Sequence, residues 1–269
     1  MQNKIMIDIL KEIPDISGIF DTHAHYDDEK FQEIRKDLLN GLKEKSLVGA
    51  ITCGCDIPSS LAALTLAKEY DFLYAAVGFH PENLKQEDDI LESLKKIKEL
   101  LQEEKVLALG EIGLDYYWDT PKDLQLKWFE EQLKLAKELD IPVIVHDREA
   151  HADTLTLLQK YKPRGVVHCF SGSKETAKEI LKIGMYIGIG GVVTFKNARK
   201  TLEVAEMIPM DRFLLETDCP YLAPVPFRGK LCHSGHIYYT AEKIAHIKGK
   251  STQDIISASL SNAKTLFNF

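Results

Sequence analysis

Two histidines one residue apart, His23 and His25, close a short apolar run, Gly18-Ile19-Phe20-Asp21-Thr22-His23-Ala24-His25. In an extended strand residues i and i+2 point the same way. Both imidazoles therefore reach one metal ion from a single strand end, with Asp21 one step further in on that face. Histidine is the commonest metal ligand. The pattern recurs along the chain: Glu111, His146, His168 and Asp218 also stand where apolar runs stop, as does His80. Acids and imidazoles buried together without a counter-ion would repel one another or stay unsatisfied. Two divalent cations resolve that. We assign one to His23, His25, Glu111 and Asp218, and the other to Glu111, His146 and His168, with Glu111 as the shared bridge. The ligands are nitrogen and oxygen only, which fits Mg²⁺, Mn²⁺ or Zn²⁺ without choosing among them. Cys53-Gly54-Cys55, with no second cysteine pair elsewhere, reads as structural or incidental rather than as a metal site.

Such residues converge only if the elements carrying them do. Apolar runs suited to buried parallel strands occur at 18–25, 47–53, 72–79, 106–112, 142–146, 165–170, 185–189 and 212–218. Helical spacing or capping signals separate them, at 27–44, 58–70, 87–104, 120–139, 150–159, 173–183 and 199–207, with two closing helices at 236–247 and 252–266. Asp56 or Ser59 is positioned to cap the second helix; Thr120-Pro121 opens the fourth, threonine as cap and proline in the first turn. Eight strand–helix units match an α/β fold of the (β/α)8 TIM-barrel type, whose working residues stand at the carboxyl ends of the strands. A doubly wound open sheet is the alternative, but it gathers ligands at one crevice. Here polar residues follow strands one, three, four, five, six and eight, and a closed barrel brings that many ends together. No linker or shift of composition divides residues 1–269, which read as one domain.

Composition narrows the partners. With 34 basic and 41 acidic residues the net charge is −7. A protein that holds long nucleic acid by counterion release is normally basic, so a polyanionic substrate here needs local handling by metal ions and a few basic side chains. Five cysteines without a framework spacing point to a reducing cytoplasm. Met1-Gln2-Asn3-Lys4 opens no cleavable apolar leader, and no run approaches ~18 apolar residues, so no membrane span is expected. No protein partner is inferred.

Five segments, in order, carry a resemblance: His23-Ala24-His25; Gly110-Glu111-Ile112-Gly113-Leu114-Asp115; His146-Asp147-Arg148; His168-Cys169-Phe170-Ser171-Gly172; and Glu216-Thr217-Asp218-Cys219-Pro220-Tyr221-Leu222. Together they resemble the signatures of TatD-type metal-dependent deoxyribonucleases of the amidohydrolase superfamily, over nearly the whole chain from residue 18 to Asn262-Ala263-Lys264. The resemblance implies a hydrolase of DNA phosphodiesters, probing DNA ends or short single strands in exonuclease fashion, with the metal ligands named above. The chain departs from the pattern in one place. Phe227-Arg228-Gly229-Lys230 is followed by Leu231-Cys232-His233-Ser234-Gly235-His236, where such proteins often carry an Arg-Asn-Glu-Pro-like segment.

Within that reading Asp218 is the general base, able to accept a proton from water. Arg228 and Lys230 bind substrate phosphates, and His80 contacts the substrate or leaving group. Tyr116, Tyr117 and Trp118 are placed to stack a splayed base, and Asp115 and Arg148 to orient ligands. Two other functions compete. One is hydrolysis of a small ester, lactone or amide on the same barrel; many binuclear amidases bridge their metals with a carboxylated lysine on strand four, yet no lysine follows Lys105 near the end of that strand, whereas Glu111 does. The other is a metal-binding scaffold without catalysis, which a complete ligand set beside a free base disfavours.

Overall fold

The structure is a computed structural model that describes residues 11, 13 and 16–269; the expectation for Met1 to Lys4 lies outside the described residues. Eight parallel strands follow one another in a single sheet: β1 Ile19–Ala24, β2 Leu47–Cys53, β3 Leu73–Val77, β4 Val106–Asp115, β5 Val143–Arg148, β6 Gly165–Val167, β7 Tyr186–Ile189 and β8 Phe213–Leu215. Helices alternate with them: α1 Arg35–Lys45, α2 Ile57–Glu69, α3 Ile90–Leu100, α4 Lys122–Leu139, α5 His151–Tyr161, α6 Lys174–Lys182 and α7 Arg199–Met207, then α8 Ile237–Lys248 and α9 Thr252–Phe267. This is a nearly closed (β/α)8 barrel, as the alternation predicts. No helix among the described residues is long and apolar enough to cross a membrane.

Two apolar layers hold it. The larger lies between the sheet and the helices, where Val143, Val145, Val167 and Ile187 meet Trp128, Phe129, Leu133 and Ile180. The smaller takes a side chain from every strand: Phe20, Ile51, Ala76, Ala108, Ile144, Val166, Tyr186 and Leu214. It fills the barrel, as side-chain layers do in this architecture. Leu266 and Phe267 of α9 join it, and Phe269 stacks on Phe20 with ring centroids 4.3 Å apart, stoppering the end away from the strands' carboxyl termini.

From that layer the period of two leads to the site. Ile144 is followed two residues on by His146, Val166 by His168 and Leu214 by Glu216. On β1 and β4 the step is three, from Phe20 to His23 and from Ala108 to Glu111. Both strands have an irregular register at that point, between Asp21 and Ala24 and between Leu109 and Ile112. A one-residue slip moves a side chain to the opposite face, so these two irregularities aim His23 and Glu111 inward. Asp21, expected on the same face as the two histidines, is thereby turned away from them.

Strands β6 and β8 are shorter than the apolar runs suggest. The backbone turns left-handed at Cys169 (φ 42°) and Asp218 (φ 63°), which ends extended pairing. Helix α2 is capped by Asp56, whose side chain accepts from Ser59 N while Ser59 answers the cap backbone. Helix α4 starts one turn-position later than expected, at Lys122 after Pro121, without a side-chain cap; Thr120 instead accepts from Gln125 Nε2 at 2.8 Å.

The barrel closes between β8 and β1 through side chains more than through a ladder. One backbone bridge, Ala24 to Cys219, joins them, with His25 N donating to Cys219 O (2.8 Å) and Asp218 N to His23 O (2.9 Å). Around it lies Asp21, fully buried, which accepts from His23 N, Thr217 N, Thr217 Oγ1 and Ser234 Oγ at 3.2, 3.0, 2.6 and 2.7 Å. Ser234 Oγ also meets the Tyr26 hydroxyl at 2.6 Å. Desolvation pushes the Asp21 carboxyl up to about 6 despite these donors. The segment that departs from the family pattern therefore serves, through Ser234, to fasten the seam.

Candidate metal centre

Glu111 sits at the middle of the carboxyl end of the barrel, 3% exposed. Its two oxygens face different histidines. Oε2 lies 3.3 Å from His23 Nε2 and 3.7 Å from His25 Nε2. Oε1 lies 2.7 Å from His168 Nε2, 2.9 Å from His146 Nδ1 and 3.6 Å from His80 Nε2. Asp218 Oδ1 completes the first side, 3.6 Å from His23 Nε2 and 3.3 Å from His25 Nε2. All six residues read from the sequence as ligands come together, and His80 lies against them.

The surrounding backbone fixes these directions. Gly113 stands beside His146 with φ 144°, and a Cβ there would fall 2.0 Å from His146 O, so only glycine lets β4 and β5 approach at this level. Two buried glutamines of α4, seven residues apart on one face, reach over the sheet. Gln132 clasps both backbone groups of Phe79, just before His80 (2.8 and 3.1 Å), and Gln125 those of Asp115 (both 2.8 Å). Asp115 Oδ2 in turn meets His146 Nε2 at 2.8 Å. His25 Nδ1 meets Cys53 O at 3.0 Å, and His80 Nδ1 accepts from Glu82 N at 3.1 Å. Glu149, Cys169, Asp218 and Leu222 all have positive φ; left-handed non-glycine residues gather at functional sites, where the surrounding fold holds them.

The electrostatics are those of a cluster short of positive charge. Desolvation lowers His23 to about 4 and His80 to about 3. Burial works against the charged form of Glu111 too, but His168, His23 and His80 hold its carboxyl well below the usual range. Burial likewise opposes ionisation of Asp218, yet the hydrogen bond from His25 leaves it lowered and anionic. Burial lowers and the carboxylates of Asp115 and Glu111 raise His146, for a net rise to about 10. His23 Nε2 and His25 Nε2 face each other at 3.1 Å, a contact in which only one of them can carry a proton. Two facing ring nitrogens with carboxylate oxygens on both sides are the donor set of a divalent cation, and the residues fit one. The groups His23–Glu111–His168, His23–His25–Asp218, His25–Cys55–Glu111 and His80–Glu111–His146 each bring three donor atoms within 4.8 Å of one another.

The cluster opens into a cavity of about 560 Å³, a size ordinary for small-ligand sites. Asp27, Asp28 and Glu82 line it together with Trp118, Arg148 and Tyr221, the Tyr221 hydroxyl donating to Asp28 at 2.9 Å. The Arg148 guanidinium lies 3.7 Å over the Tyr117 ring. Arg228 and Lys230 do not line this cavity; they are exposed on the loop after β8, with the Arg228 guanidinium 3.7 Å over Phe195. Tyr116 also turns away, its hydroxyl donating to Asp153 at 2.7 Å.

Two residues here were not singled out by sequence. Cys55 lines the cavity, its sulfur grouped with donor atoms of His25 and Glu111, although the pair to which it belongs reads as incidental. Glu216 lies behind His168, its Oε1 3.9 Å from His168 Nδ1; its phase with Leu214 was the available signal.

Comparison with known proteins agrees with the geometry. The family model described as TatD related DNase matches residues 20–268. YabD of Bacillus subtilis, called an uncharacterized metal-dependent hydrolase, is 44% identical over 253 residues, 93% of this chain and 98% of its own. YcfH of Escherichia coli, described in the same words, is 37% identical over 258 residues, 93% of this chain and 96% of its own. The crystal structure of YjjV, a TatD homologue from Escherichia coli, superposes with a TM-score of 0.86 at 33% identity, covering 93% of this chain and 98% of that one.

Proposed function

The chain belongs to the family of TatD-related DNases and is a metal-dependent hydrolase, and from that premise we propose that the bond it cleaves is a DNA phosphodiester, at ends or in short single strands, at a binuclear site. The observation that carries this reading is the cavity itself. The Glu111-centred cluster and Arg148 share its wall, and Arg148 is the one lysine or arginine lining it among the described residues.

His23, His25, Glu111 and Asp218 would hold one divalent cation, and Glu111, His146 and His168 the other. Such cations lower the pKa of water, orient it and neutralise charge on the non-bridging phosphate oxygens. Asp115 fixes the His146 ring from behind, as outer partners of ligating histidines do. Asp218 takes the proton from the attacking water. Its side chain is 21% exposed against 4% for Glu111, so it is reachable from the cavity, and against the cost of burial the His25 hydrogen bond holds it below the usual carboxylate range. His80, whose Nδ1 accepts a backbone N–H, carries its proton on Nε2 and presents it to a phosphate or leaving-group oxygen. Arg148 grips a phosphate with its planar fork, already oriented by Tyr117; Tyr117 and Trp118, 53% and 45% exposed, offer faces for a base. Arg228 and Lys230 reach only a strand long enough to extend past the rim. The three acids lining the cavity, Asp27, Asp28 and Glu82, and the net charge of −7 disfavour long duplex lying across it, which supports ends and short strands as substrates.

The test is a panel with added Mg²⁺ or Mn²⁺: end-labelled single- and double-stranded DNA, a p-nitrophenyl phosphodiester and N-acyl amides, on the wild type and Asp218→Asn. The expected result is metal-dependent shortening of the labelled DNA, with kcat falling about 10²–10⁴-fold in the variant and KM changing less. Amide turnover without DNA cleavage would overturn the proposal.

A further inference from the structure

Cys55 follows β2 by two residues and lies in a turn with little freedom. Gly54 O accepts from Glu111 N at 2.9 Å, which sets this turn directly beside the bridging carboxylate. Cys55 N donates to Ser59 Oγ at 2.8 Å, and Cys55 O accepts from His80 N at 2.9 Å. Helix α2 packs so closely that a Cβ on Gly54 would fall 2.4 Å from Ser60 Oγ. With its backbone pinned on both sides, Cys55 projects its thiol into the cavity. There its sulfur, one donor atom of His25 and one of Glu111 lie within 4.8 Å of each other. His25 Nδ1 is engaged by Cys53 O, so Nε2 is the nitrogen that faces the group. Donors bound to one ion at ~2.0–2.3 Å come about that close together. Cys53 differs: it is fully buried, with Sγ 3.5 Å from His23 Nδ1, on the side of that ring away from the other ligands.

We propose that Cys55 gives this metal centre a sulfur donor, so that a thiophilic divalent cation such as Zn²⁺, Co²⁺ or Cd²⁺ is held by Cys55 Sγ, His25 Nε2 and the Glu111 carboxylate. The inference rests on the reading of His25 and Glu111 as ligands and adds a preference to it. A set of nitrogen and oxygen donors accepts Mg²⁺ and Mn²⁺, whereas a thiolate selects the softer ions. On binding, the Cys–S–H bond yields its proton to solvent and sulfur keeps the electron pair it shares with the cation.

The experiment is titration of metal-free protein with Co²⁺, followed by absorption, on the wild type and Cys55→Ser. In the wild type a near-ultraviolet thiolate-to-cobalt charge-transfer band should grow together with the visible cobalt bands. In Cys55→Ser the visible bands and the cobalt stoichiometry should remain while the near-ultraviolet band disappears. Competition should show Cd²⁺ affinity relative to Mn²⁺ reduced ~10-fold or more, the scale of losing one partner at a metal site. Wild-type cobalt binding without the near-ultraviolet band, or a band that survives in Cys55→Ser, overturns the role of Cys55 and leaves the metal centre standing. A wild type that takes up no cobalt overturns both.

Discussion

Glu111 presents one oxygen to His23 and His25 and the other to His146 and His168, and that division makes a single carboxylate the pivot of the site. The gathering of these side chains is legible in the sequence because each stands where an apolar run ends. What the sequence does not reveal is which cation meets the substrate. Arg228 and Lys230 stand closest to Asp218 along the chain after β8, but closeness along a loop says nothing about where the loop points. Arg148, read as a ligand-orienting group, lines the cavity instead. Arg148→Ala should raise KM for a dinucleotide and for a longer oligonucleotide alike, roughly tenfold or more, as expected for a charge-assisted hydrogen bond, with kcat less affected. Arg228→Ala and Lys230→Ala should raise KM only for the longer substrate, and less so at high salt, where exposed charges are screened. Steady-state kinetics on both substrate lengths at two salt concentrations decide it; equal effects of all three variants on the dinucleotide would move Arg148 out of its role.

At the scale of elements, strands supply the residues proposed as ligands and helices aim them. The repeating units are readable because buried parallel strands and amphipathic helices have different periods. The two register irregularities are not, since a period of two from Phe20 or Ala108 predicts the wrong face for His23 and Glu111. Nor are Gln125 and Gln132, polar residues on the buried face of α4 whose partners are backbone groups of distant turns. Glu216 shows a further device. β7 carries Gly188 opposite it, where a Cβ would fall 2.4 Å from Glu216 Oε2, and the missing side chain leaves room for a carboxyl behind His168. Burial pushes that carboxyl up to about 8, above its ordinary 4.5. A raised acid pKa means the fold favours the protonated form, so this contribution to stability is complete below about pH 4.5 and is lost as pH climbs through 8. In metal-free protein the melting temperature of the wild type should therefore fall relative to that of Glu216→Gln between those limits. Melting curves in chelator at several pH values check this; parallel profiles would show that Glu216 stays ionised.

At the scale of the whole molecule, the barrel is an α/β closure whose last junction differs from the other seven. Between β8 and β1 the work of a ladder falls largely to Asp21 and the donors it accepts from Thr217 and Ser234. Asp21→Asn replaces an acceptor oxygen with an amide nitrogen that cannot accept from those groups. Its expected effect is a loss of about 1–3 kcal/mol, the range for leaving buried hydrogen-bonding groups unmatched, seen as an earlier urea midpoint with an unchanged slope. A midpoint equal to that of the wild type would remove Asp21 from the closure.

The same junction has a consequence for the birth of the protein. Asp21 and Thr217 are 196 positions apart, and His23 and His25 wait on the far side of nearly the whole chain for Asp218. At ~5–20 residues per second, translation separates the two sides by about 10–40 s. In the last part of that interval, about 2–10 s for the 50 positions between His168 and Asp218, the chain already holds His23, His25, Glu111, His146 and His168 and still lacks both its last strand and Asp218. On the proposed function, the order of synthesis therefore times the active site: a chain stalled or truncated short of β8 would lack the residue assigned as base, and hydrolytic competence would arrive only with the residues that close the barrel.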